Sequence, residues 1–257
     1  MSTKLTNLVT AHYILLARSF VVILGCIAVC WGIIVVPNFW HESSIESIAG
    51  LVIAGDQFKP EILTRQLSNK DSFESAAYCR PAALRSIAVI RLRIADEPLS
   101  TNNQEIIDTR LREASNSVQD SLSCSPADPY LWLALYWLAS RRSDFKQDDL
   151  KYLRLSYQLG PNEGWIASKR NHLIFESFDR LPPDLANEAI DEFVKLVDSS
   201  FYPDAVVILT GPAWKMRDLI LPRLKNVAER HRKEFAKALY AKGYDVAVPG
   251  VEHPDRH

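Results

Sequence analysis

The sequence predicts an all-α protein, with one transmembrane helix followed by about four antiparallel helix pairs. Three observations lead to this prediction. Residues 19–40 form one long apolar stretch, the rest of the chain repeats apolar residues at helical spacing, and glycine is scarce, at 9 of 257 residues. Few glycines and many Leu, Ile, Ala and Arg residues favour helices over an architecture rich in β-turns.

The apolar stretch predicts a membrane anchor over residues 19–40. It carries no charged residue, and it is long enough to cross a hydrocarbon core about 30 Å thick. Lys4 and Arg18 precede it without an acidic residue, whereas acidic residues follow it. The positive-inside rule therefore predicts a single-pass protein of the inner membrane, with residues 1–18 in the cytoplasm and the remainder in the periplasm. A cleaved signal peptide is the alternative, although its apolar core would be unusually long.

The charge balance excludes the class of nucleic-acid-binding proteins. The chain has 30 Lys and Arg residues against 31 Asp and Glu residues, which gives a formal net charge of −1 at pH 7. A nearly neutral chain lacks the positive surface that a phosphate backbone requires. The expected partners are the lipid bilayer, through residues 19–40, and a protein in or at the membrane.

Residues 41–78 have mixed composition and are predicted to be a juxtamembrane lead-in. The helical domain is predicted over residues 79–242. Its first two helices show apolar residues repeated at i, i+4, i+7 and i+11. These residues are Ala83, Ile87, Ile90 and Ile94 in one helix, and Ile107, Leu111, Ala114 and Val118 in the next. The two helices are predicted to form a hairpin.

Two cysteines lie outside the predicted anchor, Cys79 and Cys124. An even number of cysteines in an exported domain is typical of disulfide bonding. Cys79 stands before the first helix of the hairpin and Cys124 at the end of the second, so an antiparallel arrangement brings them together. The sequence therefore predicts a disulfide between them, and two separate buried thiols are the alternative.

The second hairpin contains a sequence similar to a known repeat. Residues 127–160 span 34 positions, the period of tetratricopeptide repeats. Trp132-x-x-Leu135 resembles the opening of such a repeat, Asp144-Phe145 its inter-helix turn, and Pro161 its closing proline. Tyr136 and Ala139 depart from the usual residues of the repeat. The resemblance covers residues 127–200 and implies a stack of helix pairs that presents a groove to a partner.

The chain after residue 160 predicts two further pairs and a tail. The third pair begins near Trp165. The fourth is degenerate: a short helix ended by Gly211-Pro212 is favoured for residues 206–209, and a buried strand is the alternative. A last helix is predicted over residues 222–242 and a flexible tail over residues 243–257, which contain two prolines.

No catalytic residue, metal ligand or cofactor site is predicted. His172 and Glu176 are one turn apart, but a metal site would need a third ligand, and a solvated helix face explains the pair better. His231 falls on the apolar face of the last helix, where a hydrogen-bonded core histidine is more common than a catalytic base. The chain lacks the glycine-rich and nucleophile motifs of nucleotide-binding proteins and hydrolases.

Aromatic residues supply the predicted binding site. A helical stack can place Tyr130, Trp137, Tyr152 and Trp165 along one groove suited to a peptide or a sugar, and a core rich in large rings is the alternative. The expected function is that of a non-enzymatic, membrane-anchored scaffold, with envelope or exopolysaccharide assembly as a possible setting. An accessory subunit held through its membrane helix and an enzyme acting on polysaccharide or peptidoglycan are the two alternatives.

Overall fold

The computed structural model describes the backbone of residues 2–68, 79–96, 104–141 and 146–252, and within these ranges the side chains of residues 18–34 and of residues from 44 onward. The described chain is helical and contains no strand, which confirms the predicted all-α class. It divides into two compact units, residues 1–124 and residues 125–257.

The described part of the first unit contains four helices, α1 (Ser2–Ala54), α2 (Pro60–Ser68), α3 (Pro81–Asp96) and α4 (Gln104–Cys124). The hairpin of α3 and α4 forms its centre, and α1 and α2 pack against α3. Helix α3 begins at a proline, which suits the first turn because that turn needs no donor from the proline nitrogen. Small buried side chains, Ala88 on α3 and Ala114 and Ser121 on α4, let the two helices approach closely.

Two predictions about the first unit are changed by the structure. Helix α1 continues through Pro37 to Ala54, so residues 41–54 of the predicted lead-in belong to the same helix as the predicted anchor. Its last turns are held because Ile45 and Ala49 are buried where α1 packs against α3. The hairpin of α3 and α4 also groups with α1 and α2, whereas the sequence placed it in one domain with all later helices.

The disulfide between Cys79 and Cys124 is present, which confirms the predicted pairing. Their Cα atoms are 5.6 Å apart, within the ordinary range for a disulfide. The bond joins Cys79, just before α3, to Cys124, the last residue of α4. It therefore closes the open end of the hairpin.

None of the described helices is long and apolar enough to cross a membrane, where α1 is considered only over the part whose side chains are described. The predicted anchor, residues 19–40, extends over residues 35–40, whose side chains lie outside the described part. The described side chains of residues 20–34 include a series of exposed apolar groups. These are Phe20, Val21, Val22, Ile23, Leu24, Ile27, Val29, Trp31, Ile33 and Ile34, each at least half exposed.

The second unit is built from α5 (Pro129–Ser140), α6 (Leu150–Leu159), α7 (Gly164–Phe175), α8 (Pro183–Asp198), α9 (Tyr202–Thr210), α10 (Arg217–Ile220) and α11 (Glu229–Ala241). Helices α5 and α6 pack together, as do α7 and α8, and α9 packs against α11. Helix α7 also contacts α5 and α9. Phe193 of α8 lies at the centre of the core, with its ring edge-on to the rings of Phe175 and Phe235.

The last helix is shorter than predicted. Residues 206–209 lie in helix α9, so the strand alternative was wrong. Pro222 lies in the first turn of a 3-10 segment, Leu221–Asn226, and Val227 and Ala228 then adopt extended backbone angles. Helix α11 therefore begins only at Glu229, because two extended residues cannot continue a helix.

The predicted tail is partly packed. Val248 is buried in the core of the second unit, and the Arg232 side chain donates a hydrogen bond to the carbonyl of Pro249. This corrects the prediction for residues 243–252, which the sequence assigned to a flexible tail because of its prolines. Residues 253–257 of that tail lie outside the described residues.

Candidate functional site

Helix α5 positions two of the predicted aromatic side chains. Asp128 caps this helix, and its carboxylate accepts hydrogen bonds from the backbone N–H groups of Tyr130 and Leu131 at 2.9 and 3.2 Å. Pro129 fits the first turn, where a missing N–H group costs nothing. Tyr130 and Trp137 are seven residues apart, which is close to two full turns, so both side chains lie on one face of α5.

Helix α7 runs beside α5 in the same direction. The ring centroids of Tyr130 and Trp165 are 5.3 Å apart near the start of the two helices. Near their other ends, the hydroxyls of Tyr136 and Ser177 are 3.3 Å apart. The parallel arrangement places Tyr130, Trp137 and Trp165 on one surface, which we call the aromatic face.

Tyr152 does not belong to the aromatic face, although the sequence grouped it with the other three residues. It lies on α6 and stacks on Trp132, with ring centroids 6.0 Å apart. Trp132 follows Tyr130 by two residues, and at about 100° per residue it projects from the opposite side of α5. The four residues predicted to share one groove therefore lie in two separate aromatic groups.

Charged side chains border the aromatic face. The Arg141 guanidinium lies over the Trp137 ring, 5.5 Å from its centroid. Lys169 and His172 follow Trp165 by four and seven residues, so they extend the same face along α7. His172 Nδ1 lies 3.6 Å from the Glu176 carboxylate, and both side chains are about half exposed. This is the solvated pair that the sequence indicated.

A buried ion pair holds α7 in place beneath this surface. Arg170 is fully buried, and its Nε donates to the Glu192 carboxylate of α8 at 3.0 Å. Its other nitrogens donate to Ser156 Oγ of α6 at 2.8 Å and to the carbonyl of Gly160 at 3.0 Å. Burial raises the pKa of the Glu192 carboxyl, while hydrogen bonds from Arg170 and Asn171 oppose that rise.

The sequence analysis missed this network, although a signal was present. Arg170 stands between Ile166 and Ile174 at spacings of four, so it occupies an otherwise apolar row of α7. A charged residue in such a row requires a buried partner. The partner could not be identified, because Glu192 lies 22 residues further along the chain.

His231 is a further buried polar side chain of this unit, separate from the Arg170 network. It is 8% exposed, and its Nδ1 lies 2.6 Å from the hydroxyl of Tyr202 on α9. The Arg230 Nε donates to its Nε2 at 3.2 Å. Both ring nitrogens therefore have partners, in line with the hydrogen-bonded core histidine that the sequence favoured.

The described residues contain no group of three or more His, Cys, Asp or Glu side chains that could hold a metal ion. No family model matches the chain, and neither a curated protein nor a solved structure matches it.

Proposed function

We propose that this protein is a non-enzymatic, membrane-anchored scaffold that binds a partner protein on the aromatic face of its second unit. The observation that carries the proposal is the contact between Tyr130 and Trp165, which joins two parallel helices at a surface where Trp165 remains 36% exposed. Tryptophan, tyrosine and arginine are the residues that most often dominate the binding energy of protein interfaces. Trp137 with its stacked Arg141 supplies the same combination.

Residues 19–40 are the anchor in this proposal. The exposed apolar side chains between Phe20 and Ile34 support it, because a helix that is apolar on all sides is stable only when buried in protein or lipid. The charge difference across the segment supports a cytoplasmic N-terminus and a periplasmic location for the remainder. The disulfide agrees with an oxidising compartment. The same proposal includes a tetratricopeptide-like arrangement of the helix pairs that follow residue 127.

A crosslinking experiment tests the binding surface. A photoreactive phenylalanine analogue is placed at position 137 or 165 of the full-length protein, and at position 214 as the control. Trp214 is also 36% exposed, but it follows α9 and lies outside the aromatic face. We expect one protein to be captured from positions 137 and 165 and not from position 214. Equal capture from all three positions would count against the aromatic face.

Affinity measurements with the captured partner give the second test. The substitutions Trp137→Ala and Trp165→Ala should each weaken binding by about 1–3 kcal/mol, as interface aromatic residues do, while Trp214→Ala should leave it unchanged. A complex that persists in both variants and requires residues 1–40 would instead favour the accessory-subunit function. If a His172→Ala or Glu176→Ala variant folds normally but does not complement a deletion strain, an enzymatic function would be favoured.

A further inference from the structure

We propose that His231 makes the attachment of α11 sensitive to pH, so that acidification loosens the last helix from the rest of the second unit. This inference does not depend on the proposed function. It rests on the hydrogen bonds that the imidazole makes to two neighbouring elements.

The contacts of the ring fix its protonation state in the folded protein. The Arg230 guanidinium can only donate hydrogen bonds, so His231 Nε2, 3.2 Å from Arg230 Nε, must present its lone pair. The imidazole is therefore neutral and carries its proton on Nδ1. That proton is donated to the hydroxyl oxygen of Tyr202, 2.6 Å away, and the Tyr202 hydroxyl in turn lies 3.3 Å from Ser200 Oγ.

This chain of hydrogen bonds connects three parts of the unit. Arg230 and His231 belong to the first turn of α11, Tyr202 begins α9, and Ser200 lies in the connection between α8 and α9. Helix α11 packs against both α8 and α9. His231 is thus the polar contact that ties the start of α11 to the start of α9.

Protonation of the ring removes one end of this chain. A second proton on Nε2 points at the Arg230 Nε–H group, so the hydrogen bond is lost and two cations become neighbours. The charged and titratable groups at the ring are Arg230 on α11 and Tyr202 on α9. The contacts recorded for the two ring nitrogens are to Tyr202, Ser200 and Arg230, none of which can supply a negative charge at neutral pH to balance the new one. Histidine is the side chain that changes charge between pH 5 and 8.

Hydrogen exchange of the full-length protein in detergent tests the proposal. Amide protection in α11, corrected for intrinsic exchange and compared with α5, is measured at pH 8 and pH 5.5. We expect protection in α11 to fall about threefold to tenfold at the lower pH, the change that loss of one hydrogen bond produces. Asparagine can place a donor near the Nδ1 position and does not titrate, so His231→Asn should abolish the fall.

Two further variants distinguish the proposed effect of His231 on α11 from a general effect of acid on the protein. Arg230→Gln keeps the histidine, removes the neighbouring cation from an exposed position, and should reduce the fall. His172→Gln removes an exposed histidine on α7 and should behave as the native protein. Nitrogen chemical shifts of His231 should show the proton on Nδ1 at pH 8. An unchanged fall in His231→Asn or Arg230→Gln, loss of the fall in His172→Gln, or a proton on Nε2 at pH 8 would overturn the proposal.

Discussion

In the core of the second unit, the effect of a substitution on stability depends on whether the polar atom that it removes has a hydrogen-bond partner. The hydroxyl of Tyr157 is buried and makes no hydrogen bond of good geometry among the described residues, although it lies close to the Glu192 carboxylate. Its ring is nonetheless well used, because the Arg170 guanidinium lies 4.2 Å from the ring centroid. The contact between Arg170 and the ring of Tyr157 therefore favours the folded state, whereas the hydroxyl lacks a well-formed hydrogen bond to offset its burial.

Tyr157→Phe is expected to leave stability at pH 7 unchanged or to raise it by up to about 1 kcal/mol, because it removes an unpaired polar atom and keeps the ring. Burial also raises the pKa of Tyr157 well above its ordinary value. The unfolded chain releases the Tyr157 proton near pH 10, whereas the folded chain keeps it. The free energy of unfolding therefore falls as the pH rises through 10.

Denaturant unfolding between pH 7 and pH 11 measures both effects. The Phe variant should lose less stability than the native protein above pH 10. Tyr136→Phe is the matched control, since the Tyr136 hydroxyl contacts Ser177 Oγ at 3.3 Å and its loss should cost about 1 kcal/mol. A large destabilisation by Tyr157→Phe at pH 7 would show that the hydroxyl is bonded.

Ser200 is a position where glycine should stabilise the protein. Its φ of 68° lies in the left-handed region, and it ends α8 with hydrogen bonds from Ser200 N to the Val197 carbonyl and from Phe201 N to the Leu196 carbonyl. Glycine is preferred at this position because it has no Cβ. Ser200→Gly should raise the free energy of unfolding by about 0.5–1 kcal/mol.

The neighbouring serine provides the control for that experiment. Ser199 has a φ of −90°, so Ser199→Gly should destabilise slightly. A loss of stability in Ser200→Gly would mean that the contacts of its hydroxyl with Tyr202 and His231 outweigh the backbone strain.

Among the elements, the hairpin of α3 and α4 depends on a covalent bond. The Cys79–Cys124 disulfide joins residues 45 apart in sequence, and closing a loop of this length stabilises by about 4 kcal/mol in the chain-entropy model. Reduction should therefore lower the thermal midpoint of the first unit, and unfolded but unreduced protein should show no reactive thiol at either position. Alkylation of both cysteines without reductant in exported protein would contradict the bond.

In the whole molecule, α1 contains the proposed anchor and continues without a break to the turns that pack against α3. Its 53 residues extend for about 80 Å at 1.5 Å per residue, and the chain first leaves the helix after Ala54. A reporter that is active only after export, fused after Asp56, should therefore be active while the full-length protein remains in the membrane fraction. Recovery of a shortened soluble form would mean that residues 19–40 are a cleaved signal.

The sequence identified elements whose evidence is local. The period of apolar residues gave helices α3 to α8, and the positions of Cys79 and Cys124 at the two ends of one hairpin gave the disulfide. The aromatic residues of α5 and α7 were identified by type, but which of their rings pair depends on the direction in which each side chain leaves its helix. Tyr152 therefore pairs with Trp132 and not with Tyr130 and Trp165.

By itself, the sequence determined the helical class, the apolar segment and the cysteine pairing, because each follows from spacing or composition along the chain. Only the tertiary structure decided which polar side chains contact one another. Arg170 and Glu192 are 22 residues apart, and Tyr202 and His231 are 29 apart. Such partners are brought together by the packing of α6, α7, α8, α9 and α11, and packing depends on the shapes of many side chains at once, which no local pattern records.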